Sequence, residues 1–298
     1  NASTYSGMGD CYMNLEDYNK ALEVYQKALD IRMRVFGEHN LETSSNLWNI
    51  ANVKVELKEY DIALEYYWKY IHIQIDIQGE EHADVASSYD DIAAVYTHKK
   101  EYLKAIEYQN IALRLYLTLN DDSEDDEDVG LMHERLGQIY SEMNEFSNAL
   151  THQETALRIY KGLNGEDDED VAGVYNDIGT TYDSLKEYDK ALAHYATAIR
   201  INITVNGKKD NVKVAEVEHN MAGGYCSQEK YGKSMKLFKS SLEVMIKEYG
   251  DDSEEVSDSY FGIGTVLLKQ EEHSKALKMF NKCLTIRVEE LGEDDDGV

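Results

Sequence analysis

The chain has 298 residues, with 58 acidic side chains against 30 Lys and Arg, a formal net charge of −28 and 42% apolar residues. Nucleic acid and anionic membrane surfaces are excluded as default partners, because proteins bind both chiefly through Lys and Arg. The apolar fraction supports a packed core and is too high for a disordered acidic tail.

One signature recurs along the chain. Asp17-Tyr18-Asn19-Lys20-Ala21-Leu22 comes first, then Glu59-Tyr60-Asp61-Ile62-Ala63-Leu64, Glu101-Tyr102-Leu103-Lys104-Ala105-Ile106 and Glu145-Phe146-Ser147-Asn148-Ala149-Leu150. It returns as Glu187-Tyr188-Asp189-Lys190-Ala191-Leu192, Lys230-Tyr231-Gly232-Lys233-Ser234-Met235 and Glu272-His273-Ser274-Lys275-Ala276-Leu277. The anchor aromatic, His in the last copy, stands at 18, 60, 102, 146, 188, 231 and 273, at intervals of 42, 42, 44, 42, 43 and 42 residues. A near-constant period of this length predicts a stacked repeat array rather than unrelated domains. With the anchor as position 17, the approximate units are 1–42, 43–84, 85–128, 129–170, 171–213, 214–255 and 256–298, a single array over 1–298.

Each unit predicts two antiparallel helices with the anchor at the turn. Upstream, position 8 is always small: Gly9, Ala51, Ala93, Gly137, Gly179, Ala222 and Gly264. Downstream, Ala or Ser fills Ala21, Ala63, Ala105, Ala149, Ala191, Ser234 and Ala276, and a third site holds Ala28, Tyr70, Ala112, Ala156, Ala198, Ser241 and Cys283. Small residues at fixed phase let a neighbouring helix approach closely, and the absence of proline leaves no helix breaker. Two segments read locally as strands, Ile71-Ile73-Ile75-Ile77 and Ile199-Ile201-Ile203-Val205, because branched residues alternate with polar ones. The repeat register places both in second helices and is expected to prevail. Tyr70, filling a small-residue slot, predicts a local spreading of the helices.

These residues resemble the tetratricopeptide repeat. Small residues at positions 8, 20 and 27, with Tyr12, Tyr96, Tyr140, Tyr182 and Tyr225 at position 11, carry the likeness. A 42-residue unit with a Gly-acidic junction is similar to the repeats of kinesin light chains, although Asn40 and Ala83 stand where that family usually has Pro after the junction His. The resemblance implies an all-α, right-handed α-solenoid of seven helix pairs. It also implies that first helices line a concave groove through positions 2, 5, 6, 9, 12 and 13.

Carried onto this chain, those positions hold Asp10, Glu56, Asp90, Asp91, Glu134, Glu142, Asp177, Asp183, Glu216 and Asp258, opposed only by Arg135 and Lys269. Such a surface suits a Lys/Arg-bearing peptide drawn in by a negative field. Asn49, Asn52, Asn176, Asn220 and Gln138 share it, and their amides offer a donor and an acceptor to a peptide backbone. The expected binding residues are therefore Asn49, Asn52, Asp90, Asp91, Glu134, Gln138, Asn176, Asp177 and Asn220. Bases gather on second helices, among them Lys20, Lys27, Arg32 and Arg34.

Position 0 holds Asn1 and, at the last residue, Val298, and neither end shows an appended polar cap. Met8, Tyr12 and Leu22 at one end, and Leu277, Phe280 and Leu284 at the other, are expected to be adhesive. The chain is then a window of a longer array, copies stack head to tail into a filament, or it is an uncapped monomer. No enzyme is expected, since no carboxylate pair is isolated in an apolar site. No cofactor or metal is expected either: EF-hand spacing is missing from the acidic run 121–128, and no Cys or His pair has zinc-ligand spacing. His39 and His82 predict local hydrogen bonds at junctions. Cys283 reads as inert core, and Cys226 as a thiol facing the groove, open to reaction. The expected partner is a protein or peptide. The expected compartment is cytoplasmic, or extracellular if the protein is filamentous and glycosylated at the Asn202-Ile203-Thr204 sequon.

Overall fold

The structure, a computed structural model, describes residues 1–121 and 123–291. Asp122 of the acidic run and Val298 lie outside the described residues. Fourteen helices and no strands occur among the described residues. The chain divides between Asn144 and Glu145 into two compact units.

The first unit holds α1 (Ala2–Asn14), α2 (Tyr18–Phe36), α3 (Leu41–Glu56), α4 (Tyr60–Gln78), α5 (Ala83–His98), α6 (Tyr102–Leu119) and α7 (Glu127–Glu142). The pairs α1/α2, α3/α4 and α5/α6 pack tightly, and α2, α4 and α6 each also pack on the helix that follows. The second unit holds α8 (Phe146–Asn164), α9 (Glu169–Ser184), α10 (Tyr188–Asn206), α11 (Val212–Ser227), α12 (Tyr231–Tyr249), α13 (Glu254–Lys269) and α14 (His273–Leu291). There α9/α10, α11/α12 and α13/α14 pair, with α8 on α9, α10 on α11 and α12 on α13. Each unit is thus a run of hairpins stacked in chain order, as in a helical-repeat solenoid.

Three kinds of punctuation produce the hairpins. First helices start on a polar cap whose side chain accepts a backbone N–H: Asn40, His82, Asp126, Asp168, Asn211 and Ser253. These caps satisfy donors that the helix leaves orphaned. They also place the starts of these six helices two residues ahead of the unit boundaries expected from sequence. Within the two units the turn between paired helices is closed by a residue in left-handed conformation, at Glu16, Lys58, Lys100, Lys186, Glu229 and Glu271, with φ of 57–62°. The next N–H reaches back five residues, as in Asp17 to the Tyr12 carbonyl at 2.9 Å. Second helices α2, α4, α8, α10 and α12 end at Gly37, Gly79, Gly165, Gly207 and Gly250, all at positive φ.

From the second repeat to the seventh, position 0 supplies a buried residue: Thr43 at 0% exposure, then Val85, Val129, Val171, Val214 and Val256. The notch at position 8 works differently from expectation. At Gly9, Gly179 and Gly264 the space is filled by the ring at position 24 of the second helix of the same pair, namely Tyr25, Tyr195 and Phe280. The two alternating-isoleucine segments are helical, in α4 and α10, because Ile71 and Ile201 at 0% exposure are claimed by the core. Tyr70 sits half-buried at the edge of a core that includes Tyr25, Ile50 and Ile73.

Candidate functional site

Side-chain bonds tie successive first helices together along the expected groove face. In the first unit Trp48 Nε1 on α3 donates to Asp91 Oδ2 on α5 at 2.7 Å, and Arg135 on α7 lies 3.2 Å from Asp90 on α5. In the second unit Asn220 Nδ2 on α11 donates to Asn176 Oδ1 on α9 at 3.0 Å. Every one of these residues is at position 5 or 6, so on the expected groove face these side chains are engaged with one another rather than standing as independent charges.

A second set of bonds ties three of the pairs internally. Tyr25 Oη donates to Asp10 Oδ1 at 2.7 Å, Tyr67 Oη to Asn52 Oδ1, and Tyr195 Oη to Thr180 Oγ1 at 3.2 Å. In each case position 24 donates to position 9. Burial raises the pKa of all three phenols, so they stay protonated donors.

The expected binding residues therefore separate by environment. Asp90 is 6% exposed and engaged by Arg135 and by Gln109 Nε2 at 2.9 Å. Burial raises its pKa despite Arg135. Asp91, half-buried beside it, is pushed up to about 6 by burial, against the lowering effect of the Trp48 hydrogen bond. Asn49, Asn52, Glu134, Asn176, Asp177 and Asn220 are partly exposed, and Gln138 is exposed. Of the expected end residues, Met8, Leu277 and Leu284 are exposed at 40%, 61% and 46%, while Tyr12, Leu22 and Phe280 are partly covered.

Several sequence readings are revised by these surroundings. Arg32 is not part of an outward basic face: it is 8% exposed, and its guanidinium donates to Asn46, to Ser6 Oγ at 3.3 Å and to Ser45 Oγ at 3.4 Å. Cys226 is buried, and burial raises the pKa of its thiol, opposite to what a reactive thiolate needs. Asn202 is 4% exposed within α10, so the folded chain does not present that sequon for glycosylation. His82 makes the expected local bond, its Nδ1 accepting Asp84 N–H at 3.2 Å, whereas His39 lies 3.9 Å from Asp76 and leaves the capping to Asn40.

A feature that the sequence reading passed over lies in the second unit. A pocket of about 310 Å³ opens at His219, Gly223, Cys226, Phe238, Phe261 and Gly262. Its α11 and α13 residues occupy groove positions, but an inventory of acids and amides alone gives them no weight. No described helix is long and apolar enough to cross a membrane.

Helix pairs stacked in chain order define a helical-repeat interaction scaffold. The tetratricopeptide repeat family model matches residues 1–76, 128–203 and 213–287, and the chain belongs to that family. No curated protein matches the sequence. Among solved structures it is similar to RapI in its apo form, at 15% identity and a TM-score of 0.72, over 96% of this chain and 97% of that one. It is similar to a tetratricopeptide repeat protein from Parabacteroides merdae, at 16% identity and 0.64, over 96% and 93%. A putative kinesin light chain from Podosopora anserina, with nearly identical repeats, aligns at 12% identity and 0.60, over 69% and 96%. These likenesses concern the fold.

Proposed function

We propose that the chain is a non-catalytic scaffold that holds a Lys/Arg-bearing segment of another protein against the groove face of its first helices. The observation that carries this reading is the charge imbalance there: ten carboxylates against Arg135 and Lys269 at the groove positions. Part of that charge is neutralised locally, by Arg135 at Asp90 and by Arg287 at Asp258. The excess still attracts a cationic chain and repels an acidic one. The amides and hydroxyls between the carboxylates supply backbone partners.

The test is fluorescence anisotropy of labelled Lys/Arg-rich peptides, with a Glu-rich peptide of equal length as control. Binding is expected to weaken as salt rises, and to fall further in Glu134→Gln and Asp177→Asn variants. Equal affinity for the Glu-rich control overturns the reading. Head-to-tail self-association is the alternative, favoured by the exposed Leu277 and Leu284 on α14. Sedimentation of the whole chain separates the two, since only the alternative predicts species that grow with concentration.

A further inference from the structure

Position 24 lies beneath the groove and, in three units, carries a tyrosine that donates to a side chain at position 9: Tyr25 to Asp10, Tyr67 to Asn52 and Tyr195 to Thr180. The sixth unit lacks both halves of that bond. Position 24 is Phe238, which has no hydroxyl, and position 9 is Gly223, which has no side chain. The pocket of about 310 Å³ stands at this place.

Phe238 is 4% exposed and meets the His219 ring edge-on, with centroids 5.0 Å apart. It also faces Gly262, where a Cβ would lie 2.4 Å from the ring, so bare α13 backbone forms that wall. Phe261, 51% exposed, stands at the rim. Gly223 is different from Gly262: a Cβ there would meet nothing within 4 Å. Glycine in a helix interior costs about 1 kcal/mol relative to alanine. Nothing in the packing around Gly223 offsets that cost, and its missing side chain leaves the pocket open.

A second recess of about 240 Å³ adjoins the first, with His219 and Asp258 common to both and with Glu216, Asn220 and Glu255 on its other sides. Asp258 is held by Arg287 Nη2 at 2.5 Å. Glu216 has Lys213 at 3.7 Å, both side chains well exposed, and Glu255 forms no ion pair among the described residues. Lys269 closes the opposite rim of the apolar pocket. A cation beside a buried apolar group is therefore accommodated on the acidic side and repelled on the other.

We propose that this double recess is a specificity site for a partner segment in which a bulky apolar side chain stands next to a Lys or Arg. The apolar group fills the space over Phe238, and the cation lies between Glu216 and Glu255. The inference rests on the peptide-binding reading above and narrows it to a residue pair and a place.

The experiment uses the full chain and labelled decapeptides that share a Lys-X centre, with X as Leu, Phe or Ala, and a Glu-Phe control. Anisotropy should show the Leu and Phe peptides binding about tenfold or more tightly than the Ala peptide. The Glu-Phe control should bind more weakly than Lys-Phe. Gly223→Leu should cancel the Leu and Phe advantage over the Ala peptide. Circular dichroism of that variant checks its fold, and the wild-type comparison stands without it. Equal affinity for Leu, Phe and Ala peptides overturns this proposal alone. A Gly223→Leu variant that is folded and keeps the apolar preference also overturns it. No binding of any Lys-bearing peptide overturns both this proposal and the groove reading.

Discussion

Gly179 and Tyr195 share one space: a Cβ built on Gly179 would stand 2.6 Å from Cε1 of the Tyr195 ring, in a structure where that ring is 1% exposed. Gly179→Ala therefore sets two effects against each other. Alanine improves helix propensity by about 1 kcal/mol, but forcing bulk into a filled site costs about 1–3 kcal/mol. Because Tyr195 is confined on all sides, the second effect is expected to win and the thermal midpoint to fall. Gly173→Ala in the same helix is the control, since its Cβ meets nothing within 4 Å. It should raise the midpoint.

Arg32 joins three helices through one buried guanidinium. Replacing it with Met keeps the bulk of the side chain and removes the donors to Asn46, Ser6 and Ser45. Hydrogen bonds to charged groups contribute about 1.5–3 kcal/mol each, and one acceptor left behind, Asn46, is fully buried. The expected loss is about 2–3 kcal/mol, read by urea unfolding. Lys20→Met, whose side chain is 59% exposed, should leave the urea midpoint nearly unchanged, because water screens its ion pair with Asp17.

Asp91 gives the first unit a pH dependence of definite sign. Burial raises its folded-state pKa to about 6, above the ordinary value of about 3.9. The folded chain therefore holds the proton more tightly than the unfolded one. That contribution is fully present below about pH 4 and is lost as pH rises through about 6. Asp90 and Arg135 face the same carboxylate from α5 and α7 and act on the same titration. In a Trp68→Phe background, Trp48 emission should titrate with a midpoint near 6, because its Nε1 donates to Asp91. Asp91→Asn keeps an acceptor for that bond and should abolish the transition.

Asn202 is 4% exposed, and its Oδ1 has no hydrogen-bond partner. A carbonyl oxygen buried without a donor costs about 1–3 kcal/mol. Asn202→Leu, of similar size, should therefore raise the thermal midpoint, a gain of about 1 kcal/mol or more. A fall on substitution would show that the amide is satisfied in solution.

The helices, their pairing and their register were legible because they are written several times. A single Tyr60 or Ala63 says little, but its recurrence at a fixed interval outweighs the strand-like alternation from Ile71 to Ile77. The residues that differ from the repeat were harder to read. Arg32 looks like an outward charge from α2 alone, and only the approach of Ser6, Ser45 and Asn46 from α1 and α3 makes its burial tolerable. The candidate groove was half legible. Asp90, Asp91, Asn176 and Asn220 fall on the expected positions, but mutual bonding along the floor cannot be counted from one helix. The pocket at Gly223 and Phe238 is a joint absence, a missing hydroxyl opposite a missing side chain, and an inventory of functional groups does not register what has been removed.

The left-handed turn residues have a consequence for engineering. Glu16, Lys58, Lys100, Lys186, Glu229 and Glu271 each hold a φ of 57–62° without being glycine, a conformation that costs an L-residue roughly 1–2 kcal/mol. Glycine relieves that strain and gives back part of the gain through its looser unfolded chain. Six small increments, each confined to a hairpin tip and none shared with a first-helix binding position, amount to a graded thermostat: the heat tolerance of the array can be dialled upward notch by notch while its ligand preference is left alone.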